Sequence, residues 1–325
     1  MIKTTDQLAS MISAEIKKTA FGKTPVELYE PIKYIMSLGG KRLRPLLTAL
    51  AYSLYRDDVA TIMRQAVAVE VFHNFTLMHD DIMDKAPLRR GNDTVHEKWD
   101  HNTAILSGDV MLVKAYEMLI TNNSDLTLAI LKAFNKCASE VCEGQQLDML
   151  FEKRKTVSEA GYIEMIRLKT AVLLGFSLKL GGLLAGADEK SCRALNDFGI
   201  NIGIGFQLKD DLLDVYADQA KFGKQVGGDI LSNKKTFLLI KALENAKGKQ
   251  KKELEGWLSK KQYQAAEKVE AVTAIYNQLE IKTLTEGKMN YFFEKGFQSL
   301  RKVEAPLPRK AMLRRFAEGL IDREV

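Results

Sequence analysis

Proline is scarce in this chain, with six residues in 325, and none lies between Leu88 and Ala305. Because proline breaks the interior of a helix, such a gap is typical of a helical protein. Strand signals are also few, since no Asn-Gly or Asp-Gly hairpin dipeptide occurs. These absences favour an all-α fold.

Cysteine is equally rare, and its three residues form no Cys-x-x-Cys pair. An odd count without such pairs predicts neither a disulfide framework nor a zinc site, which favours a reducing, cytoplasmic location. The N-terminus has acidic residues and no apolar core of the signal-peptide kind. The longest apolar stretch, residues 171–187, is interrupted by Lys179 and is shorter than the ~20 residues that span a membrane. We therefore expect neither a targeting nor a transmembrane segment.

No large excess of one charge is present, because 48 Lys and Arg residues against 42 Asp and Glu residues give a net charge of +6. The two signs are mixed along the chain, which argues against nucleic acid as a partner. An anionic small substrate remains compatible with this balance if several basic residues converge on one place.

Helical periodicity is the main positive signal. Residues 66–84 carry apolar side chains at three- and four-residue spacings. The same pattern recurs in residues 102–119, 125–150, 158–184, 190–216, 235–244, 251–258 and 262–279. We expect roughly ten helices in a single domain over residues 1–325, built as one large helical bundle.

Two acidic clusters of the form Asp-Asp-x-x-Asp stand at the ends of apolar helical segments, 130 residues apart. They are Asp80, Asp81 and Asp84, and Asp210, Asp211 and Asp214. Residues four apart project from one helix face, so like charges repel there unless a cation or water neutralises them. Carboxylate oxygens in this pattern suit magnesium, which also takes phosphate oxygens and waters. One such cluster would ordinarily be a solvated helix end, but the repetition favours a metal site. If the two helices face each other, six carboxylates line the mouth of one cavity.

Basic residues accompany the acidic clusters. Gly39-Gly40-Lys41-Arg42-Leu43-Arg44 combines glycines, which let backbone amides approach an anion, with three cations. Arg89 and Arg90 follow the first cluster, and Lys224 and Lys234 follow the second. Each alone is more often a surface charge than a ligand. Their shared placement indicates a diphosphate held between magnesium and the cations.

The chain resembles the trans-isoprenyl diphosphate synthases, the polyprenyl synthetase family that includes farnesyl and geranylgeranyl diphosphate synthases. The motifs that carry the resemblance occur in the family's order over about 200 residues. They are GGKRLRP at 39–45, HDDIMDKAPLRRG at 79–91, GQQLD at 144–148, Lys169-Thr170, FQLKDDLLD at 206–214 and GKQVGGDILSNKKTF at 223–237.

The resemblance implies an all-α isoprenoid synthase fold around a central cavity, three magnesium ions and a homodimer. Isopentenyl diphosphate and allylic diphosphates would be its substrates. Direct metal ligands would be Asp80, Asp84 and Asp210, supported by Asp81, Asp211 and Asp214. Arg89, Lys169 and Lys224 would hold the allylic diphosphate with Lys234 close by. The Gly40 motif, with Lys41, Arg44, His73 and Arg90, would hold isopentenyl diphosphate. Thr170 and Gln207, with Lys169, would lie near the reacting allyl group.

Product length in this family depends on the residues below the first acidic cluster. Helix geometry places Thr76 and His73 one and two turns before Asp80. The resemblance instead selects Phe75, the fifth residue before Asp80, which could equally be an ordinary core aromatic. Phe75 beside Thr76 indicates a short-chain enzyme. The absence of the insertion that many bacterial farnesyl synthases carry in the first motif favours geranylgeranyl over farnesyl diphosphate as product.

Two other functions remain open from the sequence. A terpene cyclase would share the helical fold, but it typically replaces the second Asp-Asp-x-x-Asp cluster by another metal motif. A non-catalytic subunit of a heteromeric synthase would usually lack one of the clusters. Because both clusters are present here, each alternative is disfavoured.

Overall fold

Helices dominate the structure, a computed structural model that describes residues 3–217 and 227–321. Within those residues sixteen α-helices occur. They are α1 (Thr5–Lys18), α2 (Val26–Ser37), α3 (Leu43–Tyr52), α4 (Met63–Met83), α5 (Val95–Lys98), α6 (His101–Leu119), α7 (Ser124–Lys153), α8 (Glu159–Ile166), α9 (Val172–Ala185), α10 (Glu189–Tyr216), α11 (Gly228–Leu231), α12 (Phe237–Asn245), α13 (Gly248–Ser259), α14 (Ala265–Gln278), α15 (Ile281–Arg301) and α16 (Leu307–Ile321). A 3-10 turn at Val59–Ile62 and a π-helical turn at Arg167–Ala171 accompany them. The all-α prediction is confirmed.

The long predicted helices correspond to observed ones, whereas the predicted number of about ten was too low. The segment predicted at 125–150, for example, is α7 at Ser124–Lys153. Helices α5 and α11 have four residues each, which is too short for a hydrophobic period to show. The segment predicted at 158–184 is divided into α8, the π-helical turn and α9.

A short antiparallel hairpin follows α4 and was not predicted. Strand β1 (Leu88–Arg89) pairs with β2 (Asn92–Asp93), with Leu88 opposite Asp93 and Arg89 opposite Asn92. The two turn residues, Arg90 and Gly91, have φ of 54° and 75°. Positive φ at both positions is the requirement of the type I′ hairpin turn. Arg-Gly is not among the usual dipeptides for that turn, so the sequence signal was missed.

The described residues form two compact units. Unit 1 takes the residues up to Ala138, Leu173–Asn196 and Lys302–Leu313, and unit 2 takes Ser139–Val172, Asp197–Arg301 and the residues from Arg314 onward. The first acidic cluster lies in unit 1 and the second lies in unit 2. A single domain over residues 1–325 stays a prediction.

The core of unit 1 surrounds α4, which is buried along most of its length. Aromatic rings connect this helix to its neighbours, because the Phe72 ring centroid lies 5.0 Å from that of Phe134 on α7. Phe134 in turn lies 5.4 Å from Phe176 on α9. Such packing positions the C-terminal end of α4, where the acidic cluster stands.

The core of unit 2 consists of two apolar clusters that both include residues of the C-terminal half of α10. One contains Leu212 with Ile230, Val272 and Ile275. The other contains Leu208 with Tyr162, Ile166, Phe237 and Phe292. Leu208 and Leu212 lie four residues apart on one face of α10, so the two clusters follow one another along that face.

One described helical run, Glu159–Ala185, is long and apolar enough to cross a membrane by length and composition. Of its most apolar stretch, 72% is buried inside the protein, as in a core helix.

Candidate active site

The first acidic cluster occupies the C-terminal end of α4. The chain leaves the helix at Lys85, whose φ is 51°. The Ala86 amide donates to the Asp81 carbonyl at 2.9 Å and the Lys85 amide donates to the Ile82 carbonyl at 3.2 Å. These two bonds are the Schellman C-cap. Carboxylates at this end face the negative pole of the helix dipole, which is unfavourable unless a cation is near.

The three aspartates of this cluster differ in their surroundings. Asp81 is 2% exposed, whereas Asp80 is half-buried and Asp84 is exposed. Arg89 donates to both carboxylate oxygens of Asp81, at distances between 2.6 and 2.9 Å. Burial raises the pKa of Asp81 against the opposing effect of Arg89. Burial alone would lower the pKa of Arg89, but the hydrogen bond and charge of Asp81 outweigh it and raise that pKa.

The β1–β2 hairpin brings Arg90 to the glycine-cation motif. The Arg90 guanidinium donates to the Gly39 carbonyl. Gly40 has φ of 115°, and a Cβ there would stand 2.8 Å from that guanidinium. Gly40 thus permits the close approach of Arg90, which joins two motifs that are 50 residues apart in sequence.

The three cations of the glycine-cation motif are held differently. Lys41 is exposed. Arg42 donates to the buried Glu70 at 2.7 Å and to the Met36 carbonyl at 2.5 Å, so it is engaged by the protein itself. Burial lowers the pKa of Arg44 to about 10, with Glu70 opposing, which leaves the group charged at neutral pH.

His73 lies among these cations. Burial, and then the charges of Arg44 and Arg90, hold its pKa well below the usual value. A neutral imidazole amid arginines offers one donor and one acceptor. This arrangement concentrates positive charge around a half-buried side chain and suits an anion.

The second acidic cluster occupies the last turns of α10. Asp211 is 4% exposed and accepts hydrogen bonds from the Tyr162 hydroxyl and, at 3.3 Å, from Gln207 Nε2. Burial, and then the charge of Asp229, raise the pKa of Asp211 to about 7. The hydrogen bonds from Tyr162 and Gln207 and the charge of Lys234 oppose this rise of the pKa only in part.

Asp214 is held by the segment that follows the undescribed residues 218–226. The Gly227 amide donates to the Asp214 carbonyl at 2.6 Å, and the Asp229 amide donates to Asp214 Oδ2 at 2.9 Å. Asp229 lies 4.0 Å from Lys234 Nζ. Burial raises the pKa of Asp229, with Lys234 opposing and Asp214 adding to the rise. Lys224, predicted to hold the allylic diphosphate, lies outside the described residues.

The π-helical turn presents Lys169 and Thr170. Lys169 Nζ donates to Asp148 Oδ2 on α7 at 2.6 Å, and Thr170 Oγ1 donates to Gln207 Oε1 on α10 at 3.4 Å. The structure therefore brings two of the three predicted catalytic residues into hydrogen-bond contact. Turns of this type are frequent at functional sites.

Below the first cluster, Phe75 and Thr76 lie on different sides of α4. The Phe75 ring is 9% exposed and packs against Phe72 and His79, with centroids 5.6 and 4.8 Å away. Thr76 Oγ1 donates to the His73 carbonyl at 2.8 Å. Phe75 therefore belongs to the aromatic core of unit 1, while Thr76 follows the line of His73 and Asp80.

The donor set fits magnesium. Within residues 3–217 and 227–321, no three His, Cys, Asp or Glu side chains converge to ligate one ion by themselves. Magnesium binds through one or two carboxylates and completes its shell with waters and phosphate oxygens. Burial, and then neighbouring carboxylates, raise the pKa values of Asp211 and Asp229, which a nearby cation would relieve.

Sequence reasoning assigned no role to three residues that the structure places at these clusters. Asp148 and Asp229 stand inside the quoted motifs GQQLD and GKQVGGDILSNKKTF, so their carboxylates could have been noted. Tyr162 contacts Asp211 across 49 residues of sequence, and no local pattern marks it.

Comparison with known proteins agrees with this geometry. The polyprenyl synthetase family model matches residues 25–277. Geranylgeranyl diphosphate synthase of Methanosarcina mazei is 39% identical, covering 97% of this chain and 96% of its own length. Geranylgeranyl pyrophosphate synthase of Geoglobus acetivorans is 42% identical over 73% of this chain and 74% of its own length. A crystal structure of a geranylgeranyl pyrophosphate synthase superposes with a TM-score of 0.94 at 42% identity, covering both chains fully. The chain therefore belongs to the polyprenyl synthetase family.

Proposed function

We propose that this chain is a magnesium-dependent prenyltransferase that condenses isopentenyl diphosphate with an allylic diphosphate, and that its main product is geranylgeranyl diphosphate. The observation that carries the proposal is that the two acidic clusters share the same arrangement. Each stands at the C-terminal end of a helix, and each anchors its second aspartate through a buried hydrogen bond to Arg89 or Tyr162.

The anchored second aspartates support the roles assigned to the others. Because Asp81 and Asp211 are buried and bonded within the protein, the remaining four carboxylates are the ones that can reach a ligand. Asp80, Asp84 and Asp210 would be direct magnesium ligands, and Asp214 would support them from its bonds to the 227–229 backbone. Three bound magnesium ions, when present, would neutralise diphosphate charge during its departure.

The cations would bind the diphosphates. Arg89 pairs with Asp81, Lys169 pairs with Asp148 on α7, and Lys234 lies 4.0 Å from Asp229. Together with Lys224, these cations would take the remaining charge of the allylic diphosphate. The group around Gly40, comprising Lys41, Arg44, His73 and Arg90, would hold isopentenyl diphosphate. Neutral His73 among arginines can donate to a phosphate oxygen without adding to the repulsion between cations.

The reaction itself needs an ionised allylic carbon–oxygen bond and a shielded carbocation. Stabilisation of the departing diphosphate by these cations lowers the barrier to ionisation. The hydroxyl and amide oxygens of Thr170 and Gln207 would face the allylic cation, and the isopentenyl double bond would then attack it. The departed diphosphate would accept the proton that is lost.

Product length would depend on Phe75 and Thr76. A bulky aromatic ring at position 75, which is 9% exposed, would limit how far a growing chain extends below the first cluster. The relatives named above are geranylgeranyl diphosphate synthases. Farnesyl diphosphate is the alternative product.

A homodimer and a cytoplasmic location complete the proposal. Helix α6 carries an apolar stripe in which Leu106 and Val113 are 58% and 65% exposed, with Val110 between them. Exposed apolar patches mark interaction surfaces, and a second copy of the chain would cover this one. The three cysteines are free thiols, as in a reducing compartment.

The decisive experiment uses the purified protein with labelled isopentenyl diphosphate and dimethylallyl, geranyl or farnesyl diphosphate, with magnesium or with EDTA. Chain elongation to a C20 diphosphate that EDTA abolishes would support the proposal. Activity in EDTA would remove the metal assignment. Consumption of an allylic diphosphate alone with release of a hydrocarbon would identify a terpene cyclase, and inactivity relieved by a partner protein would identify a regulatory subunit.

A further inference from the structure

A fully buried lysine stands close to the second acidic cluster and has no role in the proposed chemistry. Lys268 on α14 is 0% exposed. Removing an ammonium group from water costs several kcal/mol, roughly, unless hydrogen bonds and charges compensate. Lysines are rarely buried for packing alone. The groups that contact the Lys268 ammonium therefore indicate the function of its charge.

Those partners belong to the end of α11, to the segment that follows it and to one aromatic ring. Lys268 Nζ donates to Asn233 Oδ1 at 2.7 Å and to the Leu231 carbonyl at 3.2 Å. It also lies 4.4 Å from the centre of the Tyr263 ring. The Tyr263 hydroxyl donates to the same Leu231 carbonyl at 3.1 Å. Leu231 ends α11, where a carbonyl without an intrahelical partner favours a cation.

The segment held in this way leads directly to the acidic cluster. Asn233 has φ of 54°, and its side-chain amide also donates to the Leu258 carbonyl at 3.2 Å. Two residues before Leu231, the amide of Asp229 donates to Asp214 and its carboxylate lies near Lys234. The Lys234 amide returns to the Asp229 carbonyl at 2.9 Å. Asn233 and Leu231 thus set the position of both charged groups.

We propose that Lys268 is a positioning residue for the second acidic cluster, which clamps the Leu231–Asn233 segment so that Asp229 and Lys234 stay beside Asp214. The inference rests on the proposed function, because it assigns Asp214 and Lys234 to the binding of magnesium and diphosphate. The hydrogen bonds of Lys268 go to Leu231 and Asn233, neither of which is assigned to the substrate or to the metal. It acts through the carbonyl and the side-chain amide that it holds.

Lys268→Met is the principal test, because methionine keeps an unbranched apolar side chain and loses all three donors. Supporting groups around metal sites typically contribute 10–100-fold in affinity. We therefore expect about a 10-fold weaker binding of magnesium with inorganic pyrophosphate in calorimetric titration. The KM for the allylic diphosphate should rise in the same proportion, while that for isopentenyl diphosphate stays unchanged. Amide exchange in residues 228–236 should accelerate.

Two further variants complete the series. Tyr263→Phe removes one hydrogen bond to Leu231, so we expect a smaller loss of about threefold, and it carries the test if Lys268→Met does not fold. Lys260→Met is the matched control, because Lys260 is an exposed lysine 4.2 Å from the Trp257 ring. It should match the wild type in titration and exchange.

The inference would be overturned if Lys268→Met lowered thermal stability but left the pyrophosphate titration and the amide exchange of residues 228–236 unchanged. Lys268 would then stabilise the fold alone. A failure of the proposed function would give a different result from a failure of this inference. A wild-type protein without elongation activity would remove that function, while titration and exchange would still decide whether Lys268 positions the segment.

Discussion

The three aspartates of each acidic cluster look alike in sequence but lie in different environments. Asp81 and Asp211, the second members, are buried and bonded to Arg89 and Tyr162. Asp84 and Asp210 are exposed. A carboxylate that accepts buried hydrogen bonds is fixed in orientation, and it can fix its neighbours on the same helix end. The second aspartate of each cluster therefore helps to fix the helix end that carries the other two.

Phe75 offers a prediction at the scale of one side chain. Phe75→Ala should lengthen the product, because it removes a ring that packs on Phe72 and His79 beneath the first cluster. Chromatographic sizing of the labelled products measures the change. Large-to-small changes of this kind cost about 3–5 kcal/mol, so Phe75→Leu provides a milder version.

Phe198→Ala is the control for this prediction, because Phe198 is 1% exposed and belongs to unit 2. It should lower stability and leave product length unchanged. A product profile of Phe75→Ala identical to that of the wild type would show Phe75 to be an ordinary core aromatic.

At the scale of elements, the approach of α7 to the π-helical turn places Lys169. A Cβ on Gly144 would stand 2.1 Å from the Lys169 backbone nitrogen, which is closer than any atom pair tolerates. Glycine at this point lets α7 bring Asp148 to Lys169 one turn later. The position of Lys169 thus depends on the absence of a side chain at Gly144 as well as on its ion pair with Asp148.

Gly144→Ala should therefore lower catalytic activity by more than its loss of stability explains. The clash with backbone should cost about 1–3 kcal/mol of stability. Displacing Lys169 and Thr170 by about 1 Å should lower kcat by about 100-fold, a larger effect than on either KM. Steady-state kinetics and thermal unfolding measure both.

Gly256→Ala on α13 is the matched control, because a Cβ there meets open space. Alanine replaces glycine within a helix, so this control should gain up to about 1 kcal/mol and keep full activity. An unchanged kcat in Gly144→Ala would show that the π-helical turn tolerates displacement.

At the scale of the whole molecule, assembly would use the apolar stripe of α6. Leu106, Val110 and Val113 follow one another at four- and three-residue spacings, so they share a face of the helix. Two of them are more than half exposed in the single chain. A stripe of this kind on a surface helix is normally covered by another element or another chain.

Leu106→Glu with Val113→Glu should convert the proposed dimer into a monomer, because two carboxylates from each chain would have to be buried without partners. Size-exclusion chromatography with light scattering gives the mass, and circular dichroism reports whether helices persist. Leu307→Glu, at a position 77% exposed on α16, should leave the dimer intact. A wild-type protein of monomer mass, or a double variant of dimer mass, would contradict the proposed interface.

Sequence reasoning predicted the helical fold, both acidic clusters and the long helices that carry them. These depend on short-range properties, namely the spacing of apolar residues and the lack of proline, which are readable in a window of the chain. Short elements were missed for the same reason. The Arg90-Gly91 hairpin and the four-residue helices contain too few residues for any period.

By itself, the sequence determined that this chain is helical and carries two aspartate clusters next to cations. Only the tertiary structure decided which aspartate of each cluster is buried, that Tyr162 bonds to Asp211, and that Lys268 holds the segment beside Asp214. Burial and hydrogen bonding between residues 35 to 49 positions apart depend on how helices pack, and a local pattern contains no information about that packing.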